Sequence, residues 1–325
     1  MRQTLGLVLL AVAAALLPAV MPSEFFRHLL VMTVIFGLFS VGYNAQFGYA
    51  GLLNLGHAAF FGIGGYVSAI ATLNYGLSVW AGFALGILIS AVLAFLVGLL
   101  SLRMRGAQFA MMTLGLGQLI YLFVINSIDL TRGPLGISGI PAPVIDLFGW
   151  RVVFDNERNY IVLALAFLLA ACLALRAILN SRLGSAWQCV RENEDLAAAL
   201  GINAGTARIT AFVFGSVLAA MAGGLYAHYI RLVTPELLSV HYTVMALIVV
   251  VIGGQGSFFG PILGAVLFTI VPEALRFTAD MRMAVFGLLL LGFVMFLPDG
   301  LAPYVRDLGR RLTKRKPPAP GASAP

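Results

Sequence analysis

The chain has 325 residues, of which 61% are hydrophobic and only 10% are charged, and its formal net charge is +7. Its mean hydropathy is +0.98. Soluble domains contain roughly 45–50% apolar and about 25% charged residues, so the composition excludes a soluble globular protein and predicts an integral membrane protein. We attribute the excess of Lys and Arg to membrane topology, because no nucleic-acid-binding motif accompanies it.

Apolar runs long enough to cross a membrane follow one another along the chain. A helix that crosses the hydrocarbon core needs about 20 such residues. The predicted segments are 5–21, 25–41, 47–73, 78–102, 107–126, 160–178, 209–230, a broken region 242–272, and 283–297. The first run is longer than the apolar core of a signal peptide and no cleavage motif follows it, so we expect a retained helix.

The distribution of Lys and Arg orients these segments. Basic residues cluster in the C-terminal tail, and Arg103 and Arg105 follow the fourth segment. Loops rich in Lys and Arg stay on the cytoplasmic side, so we expect a cytoplasmic C terminus. Alternation then places loop 127–158 outside and loop 179–206 inside, and it requires region 242–272 to enter and leave on the same side.

The turn of this broken region is rich in glycine. Its glycines are Gly253, Gly254, Gly256 and Gly260. Broken helices are tolerated where protein or a water-filled cavity satisfies the freed backbone groups, which is common at transport sites. We therefore predict an all-α polytopic membrane protein with about 8–10 transmembrane segments, including broken or re-entrant helices. Residues 1–298 would form the membrane domain, and residues 299–325 a basic, disordered cytoplasmic tail.

Neutral polar residues stand inside the predicted segments, whereas carboxylates do not. The neutral polar residues are Asn44, Gln46, Asn54, His57, Thr113, Gln118 and Gln255. Carriers coupled to protons or ions usually keep an ionisable group in the membrane, so this pattern argues against that class. The polar side chains would either line a translocation pathway or form interhelical hydrogen bonds. For His57 we favour a packed histidine bonded to a neighbouring backbone over a proton relay.

The sequence contains no motif that would supply energy or chemistry. The phosphate-binding pattern G-x-x-x-x-G-K-[ST] is missing, and so are metal-ligand spacings and a nucleophile elbow. We therefore expect no enzymatic activity, and no metal or cofactor bound by this chain. If transport is active, the energy must come from a partner.

A charged cytoplasmic segment is a candidate docking site for such a partner. It contains Arg191, Glu192, Glu194, Asp195, Leu196, Leu200 and Gly201. Acidic residues before an alanine/leucine run and a glycine after it predict a short helix with a C-cap. Leu196 and Leu200 would form a small apolar face that fits a groove on a cytoplasmic protein. An ordinary solvated connector is the alternative.

Five sequence blocks together resemble the permease subunits of branched-chain amino-acid ABC importers, of the LivM type. The blocks are FGYAGLLNLGHAAFFGIGGY, GAQFAMMTLGLGQ, TRGPLGISGIP, RENEDLAAALGIN and VIGGQGSFFGPILGA. Their order and topology fit that family over residues 36–298. In place of the E-A-A-x-x-x-G pattern of the wider ABC importers, this chain has Asp195-Leu196-Ala197 before Gly201.

The resemblance implies a function and a set of partners. The chain would pair with a homologous LivH-type permease in the bacterial cytoplasmic (inner) membrane to form a pathway for branched-chain amino acids or related small solutes. Two cytoplasmic ATPases would hydrolyse ATP and contact the charged segment, and a periplasmic binding protein would deliver substrate. The residues of the external loop that face this protein would be Thr131, Gly133, Gly136 and Pro141.

The residues, without the resemblance, leave a second class of function open. An autonomous channel or facilitator for small neutral solutes, such as urea or amides, would also have a neutral interior and no ATP motif. It would not need the charged cytoplasmic helix. An intramembrane enzyme is a weaker candidate, because the histidines have no carboxylate at suitable spacing within a segment.

Overall fold

In a computed structural model, the described residues are 23–100, 104, 106–147 and 150–274, with 287–288, 291–292, 295, 297 and 300–304 near the C terminus. Most of them are helical, which confirms the predicted all-α membrane fold. The predicted segment 5–21, most of segment 283–297 and most of the tail 299–325 lie outside the described residues, as do Arg103 and Arg105.

The elements follow in chain order. They are α1 (Glu24–Tyr43), a π-helix (Asn44–Tyr49), α2 (His57–Leu73), α3 (Val79–Leu100), α4 (Ala107–Asn126), α5 (Ile128–Thr131), a 3-10 helix (Gly133–Leu135), β1 (Ile137–Ser138), β2 (Val144–Leu147), β3 (Trp150–Val153), α6 (Glu157–Leu179), α7 (Arg182–Glu192), α8 (Glu194–Ala199), α9 (Ala204–Ile230), β4 (Leu232–Val233), a 3-10 helix (Pro235–Leu238), α10 (Val240–Gly253) and α11 (Gly260–Ala274). Within the described part of the chain, five helices are long and apolar enough to cross a membrane, and α2, α10 and α11 are shorter apolar helices.

The predicted boundary between the second and third segments is wrong. We predicted one segment over 47–73, but the π-helix continues α1 to Tyr49 and α2 begins only at His57. The chain between them is irregular, and Gly51 has a φ of +70° that ends the helical path. Hydropathy counts apolar residues in a window, so it does not detect where backbone hydrogen bonds stop.

Helix α9 lies at the centre of the bundle, where it packs against α1, α2 and α3. Its approach to α2 depends on two glycines. A methyl group on Gly64 would overlap the backbone of Ala220, and one on Gly223 would overlap the carbonyl of Phe61. Small residues allow such close contact in membranes, where dispersion rather than exclusion from water holds helices together.

Helices α10 and α11 form an antiparallel hairpin. Gly253 lies against Gly260, and Gly264 lies against Val249, so the two helices run in opposite directions. Helix α10 has 14 residues and rises only about 21 Å, which is less than the roughly 30 Å hydrocarbon core. Gly254 and Gly256 have φ of +114° and +70° in the turn. This is the geometry expected for the broken region.

The loop predicted at 127–158 contains regular structure and is joined to the connection between α9 and α10. Strand β1 pairs antiparallel with β4, and β2 pairs with β3. The ring of His228 lies 2.7 Å from the carbonyl oxygen of Pro141 through Nδ1 and 2.7 Å from Oγ of Ser68 through Nε2. Because a carbonyl only accepts, Nδ1 carries the proton and the Ser68 hydroxyl donates to Nε2. This chain of bonds fixes the loop to α2 and α9.

Candidate functional site

Two side-chain amides hold the irregular segment between α1 and α2. Gln46 Nε2 donates to the carbonyl of Phe212 on α9 at 2.8 Å, and Asn54 Nδ2 donates to Gln46 Oε1 at 3.0 Å. Asn54 Oδ1 accepts from the amide of Gly56 at 2.9 Å. Both side chains are fully buried. The pair therefore supplies hydrogen bonds where the backbone cannot make helical ones.

Asn44 connects the π-helix to the glycine turn. Its Nδ2 donates to the carbonyl of Ser257 at 2.9 Å, and its Oδ1 accepts from the amide of Gly256 at 3.0 Å. The side chain is fully buried. One amide thus satisfies both a donor and an acceptor of the turn and holds the α10–α11 hairpin against the end of α1.

His57 and Thr113 are the other two predicted pathway residues that are buried. The amide of Leu55 donates to Thr113 Oγ1 at 3.1 Å. His57 Nε2 lies 3.2 Å from the carbonyl of Phe39, and its ring packs against Phe39 and Tyr43 at 4.7 and 5.1 Å between centroids. The ring is therefore packed against aromatic side chains and lies close to a backbone carbonyl, and whether it relays protons stays a prediction.

Gln118 and Gln255 differ from the other predicted pathway residues because both are exposed. Gln118 lies on the outer side of α4, and Gln255 lies in the glycine turn with Nε2 3.5 Å from the carbonyl of Phe47. The structure brings Asn44, Gln46 and Asn54 together around the break. Interhelical hydrogen bonding accounts for the contacts of the buried residues, and a role in the pathway stays a prediction for all seven.

The cytoplasmic segment contains two helices rather than the single one we predicted. Helix α7 precedes α8 and is anchored by Trp187, whose side chain is buried and donates to Thr210 Oγ1 at 3.0 Å. The sequence analysis missed α7. The sequence pattern that could have predicted α7 is the three-residue spacing of Gly184, Trp187 and Val190, which is typical of one side of a helix. These three residues form the buried side of α7.

Helix α8 ends as the sequence predicted. Gly201 has a φ of +82°, and the amide of Ile202 donates to the carbonyl of Ala197 at 3.0 Å, as in a Schellman C-cap. Leu196 and Leu200 are 60% and 71% exposed. The small apolar face is therefore present at the surface of the chain.

The acidic residues of this segment have different surroundings. Glu194 forms an ion pair with Arg208 of α9, and both side chains are mostly buried. Arg208 also donates to the carbonyl of Met104 at 3.1 Å. Glu192 and Asp195 are exposed. Glu194 thus fixes α8 on α9, a role that its sequence position did not reveal because Arg208 lies 14 residues away.

Arg191 joins the cytoplasmic segment to the break after α1. Its Nη1 donates to the carbonyl of Gly48 in the π-helix, and a methyl group on Gly256 would lie 2.7 Å from the same nitrogen. Its aliphatic part lies beside Gly51. A cavity of about 90 Å³ borders Arg191, Leu52 and neighbouring residues. Helix α7, the π-helix and the glycine turn therefore meet at one side chain.

Most residues predicted to face a binding protein are buried inside loop 127–158. Thr131, Gly133 and Gly136 are buried, and only Pro141 of the predicted four is exposed. The Thr131 hydroxyl donates to the carbonyl of Ser127 at 2.8 Å. Leu135, which the sequence analysis did not single out, is 85% exposed. Whether the loop contacts a binding protein stays a prediction.

The site does not resemble a metal centre within the described residues. No group of three or more His, Cys, Asp and Glu side chains there has an arrangement that could hold a metal ion. The polar groups of the site are amides, hydroxyls and one buried imidazole, which are hydrogen-bonding groups rather than a ligand set.

Comparison with known proteins fits this architecture. Residues 25–295 match the family model of the branched-chain amino acid transport system permease component. The chain belongs to this permease family. The LivM permease protein of the high-affinity branched-chain amino acid transport system of Salmonella typhimurium is 34% identical, over 94% of this chain and 76% of that protein.

Other relatives carry similar descriptions. LivM of Escherichia coli K12 is 33% identical, over 94% of this chain and 76% of that protein. The LivH permease protein of the same strain is 26% identical, over 82% of this chain and 90% of LivH. No solved structure matches this chain significantly. These relatives are described as transport permease proteins rather than as enzymes.

The bond between Asn54 and Gln46 predicts coupled effects on stability. Asn54→Ala leaves buried groups of Gly56 and Gln46 unpaired, so we expect a loss of about 1–3 kcal/mol in the free energy of unfolding. Gln46→Ala and Asn54→Ala together should cost less than the sum of the single variants, because both remove the same bond. Denaturant unfolding of the purified protein in detergent measures this.

A second double-mutant cycle, with Asn126→Ala in place of Gln46→Ala, controls for unspecific effects on stability. Asn126→Ala lies at the other end of α4 from the break and should combine additively with Asn54→Ala. If Gln46→Ala and Asn54→Ala also combine additively, or if the variants lose solute uptake with unchanged stability, the two amides do not act as a structural pair.

Proposed function

We propose that this chain is one permease subunit of an ATP-driven importer in the bacterial cytoplasmic membrane, with its C terminus in the cytoplasm. Its substrates are branched-chain amino acids or related small solutes. It pairs with a homologous LivH-type permease, and the pathway runs between the two. The observation that carries the proposal is the family match over residues 25–295, with relatives of both the LivM and the LivH kind.

The charge pattern at membrane depth supports transport of a neutral or zwitterionic solute. The buried polar residues around the break are amides, a hydroxyl and an imidazole, with no carboxylate or cation among them. A fixed charge in the pathway would hold a zwitterion through an ion pair and slow its release, whereas neutral groups bind it transiently. Energy for accumulation against a gradient then has to come from outside this chain.

In this proposal ATP is bound and hydrolysed by two cytoplasmic ATPases, which dock on α8. Leu196 and Leu200 form the exposed apolar face, and the ion pair between Glu194 and Arg208 keeps α8 attached to α9. A short amphipathic helix in a groove is a common mode of recognition. Movement of α8 then displaces α9, and Arg191 passes displacement of α7 to the π-helix and the glycine turn.

The external loop is the proposed contact for a periplasmic binding protein. Its fold is fixed by the pairing of β1 with β4 and by the bond between His228 and Pro141. Leu135 projects from this rigid base. A preformed surface limits the entropy lost on docking, which suits repeated and short-lived contacts.

Affinity purification tests the assembly directly. The tagged chain is isolated from its native membrane in mild detergent, and the proteins that accompany it are identified by mass spectrometry. We expect a second permease and ATPase subunits. Recovery of the chain alone, together with solute flux that needs no ATP after reconstitution, would replace the importer with an autonomous facilitator.

The exposed face of α8 predicts a selective loss of ATPase binding. Leu200→Asp places a charge on the apolar face, so ATPase recovery in the purification and solute uptake should both fall strongly while the amount of membrane-inserted chain stays normal. Leu135→Asp, at a more exposed leucine on the external loop, should retain the ATPases. Normal ATPase recovery with Leu200→Asp would remove α8 as the docking helix.

The position of Arg191 predicts a loss of coupling without a loss of assembly. Arg191→Ala deletes the bond to the π-helix, so the ATPases should still co-purify but less solute should be transported per ATP hydrolysed. Arg182→Ala removes the same charge from the exposed start of α7 and serves as the control. Reconstituted vesicles give both rates, and an unchanged ratio for Arg191→Ala would exclude the proposed link.

A further inference from the structure

Helix α4 exposes a side that does not suit a lipid environment. The outer residues along this side include Gln108, Met111, Gly115, Gln118, Leu119 and Leu122. Gln118 stands near the middle of the 20-residue helix, so its amide lies at the depth where hydrocarbon would surround a lone chain. No hydrogen bond to the Gln118 side chain is present within the described part of the protein. An unpaired amide in hydrocarbon costs several kcal/mol.

Helix α3 provides the contrast within the same chain. Its exposed side is entirely apolar and includes Leu85, Leu88, Val92, Phe95, Leu96 and Leu99. Lipid tails can cover such a side without any loss of hydrogen bonds. Both helices are long enough to span the membrane. Their exposed sides therefore differ in polarity rather than in length, and only that of α4 requires hydrogen-bonding surroundings.

Gly115 supports the same conclusion by an independent argument. A methyl group on this residue would meet none of the described atoms within 4 Å, so the described part of the fold does not need a glycine there. Glycine within a helix lowers stability by about 1 kcal/mol relative to alanine. The missing side chain leaves room on the outer side of α4, next to Gln118, for something outside the chain to approach closely.

The half of α4 that follows Gln118 also exposes a surface patch, whose described residues belong to this helix and to Ser127. Leu119, Leu122, Phe123 and Asn126 are among the residues that form it. This patch and Gln118 share one helix, so a single membrane-embedded neighbour could cover the patch and pair with Gln118 at once.

We propose that the outer side of α4 is the surface on which the second permease packs, with Gly115 and Gln118 at the boundary between the two chains near the middle of the membrane. The proposal rests on the proposed pairing of permeases. A homologous membrane chain fits because only a membrane-embedded protein reaches that depth, and because its own polar groups can pair with the amide of Gln118.

Site-specific photocrosslinking in the assembled complex tests this surface. Leu122→p-benzoylphenylalanine places the probe on α4, and Leu88→p-benzoylphenylalanine places it on α3, where the replaced leucines are 50% and 59% exposed. After irradiation of the intact membrane, we expect a cross-link to the second permease from position 122 and none above background from position 88. Met111→p-benzoylphenylalanine repeats the test about three turns away on the same side of α4 if the first variant does not assemble.

The outcomes separate this proposal from the proposed function. If the second permease co-purifies but cross-links equally from positions 88 and 122, or from neither α4 position, the α4 surface is wrong and the pairing stands. If no second permease co-purifies, the pairing fails. A cross-link between two copies of this chain through position 122 would also overturn the proposal, because the occupant would then be a second copy.

Discussion

Backbone amides and carbonyls at membrane depth need hydrogen-bond partners, and the fold depends on how this chain meets that constraint at the break after α1. The helix loosens into a π-helix, and then the chain runs irregularly until His57. Gln46 and Asn54 bond to each other, Asn54 also accepts from the amide of Gly56, and Gln46 donates to the carbonyl of Phe212 on α9. The break thereby sets the starting position of α2 and its close contact with α9.

The chemistry of amides explains why these residues occur here rather than charged ones. An amide donates and accepts, so Asn44 can satisfy the carbonyl of Ser257 and the amide of Gly256 together. A carboxylate would satisfy only the donor and would carry a charge into a region of low dielectric constant. The same property keeps the interior neutral. A pathway beside such an interior would present no fixed charge to a passing zwitterion.

Two kinds of polar interaction attach α7 and α8 to the rest of the chain, and they differ in strength. The mostly buried pair of Glu194 and Arg208 is costly to separate, because each charge would lose its partner away from water. The bond from Arg191 to Gly48 is a single hydrogen bond with an exposed residue, which is more easily remade in another position. The ion pair therefore holds α8 on α9 more firmly than the single bond of Arg191 holds α7 to the π-helix.

The sequence by itself determined the membrane class, most helices, the glycine turn and the C-cap of α8. These features depend on composition, on runs of apolar residues and on local preferences such as that of Gly201 for positive φ. Sequence reasoning failed where distant residues interact. It missed the anchoring of α7 by Trp187 and the partner of Glu194, and it joined the π-helix to α2.

Only the tertiary structure decided which polar residues face the protein and which face outward. Asn54 and Gln118 are both neutral amides in apolar runs, and the sequence gives them the same prediction. Asn54 is fully buried and bonded, whereas Gln118 is exposed on α4. Burial depends on which side of a helix meets its neighbours, and that is set by packing between segments far apart in the chain rather than by the residues on either side.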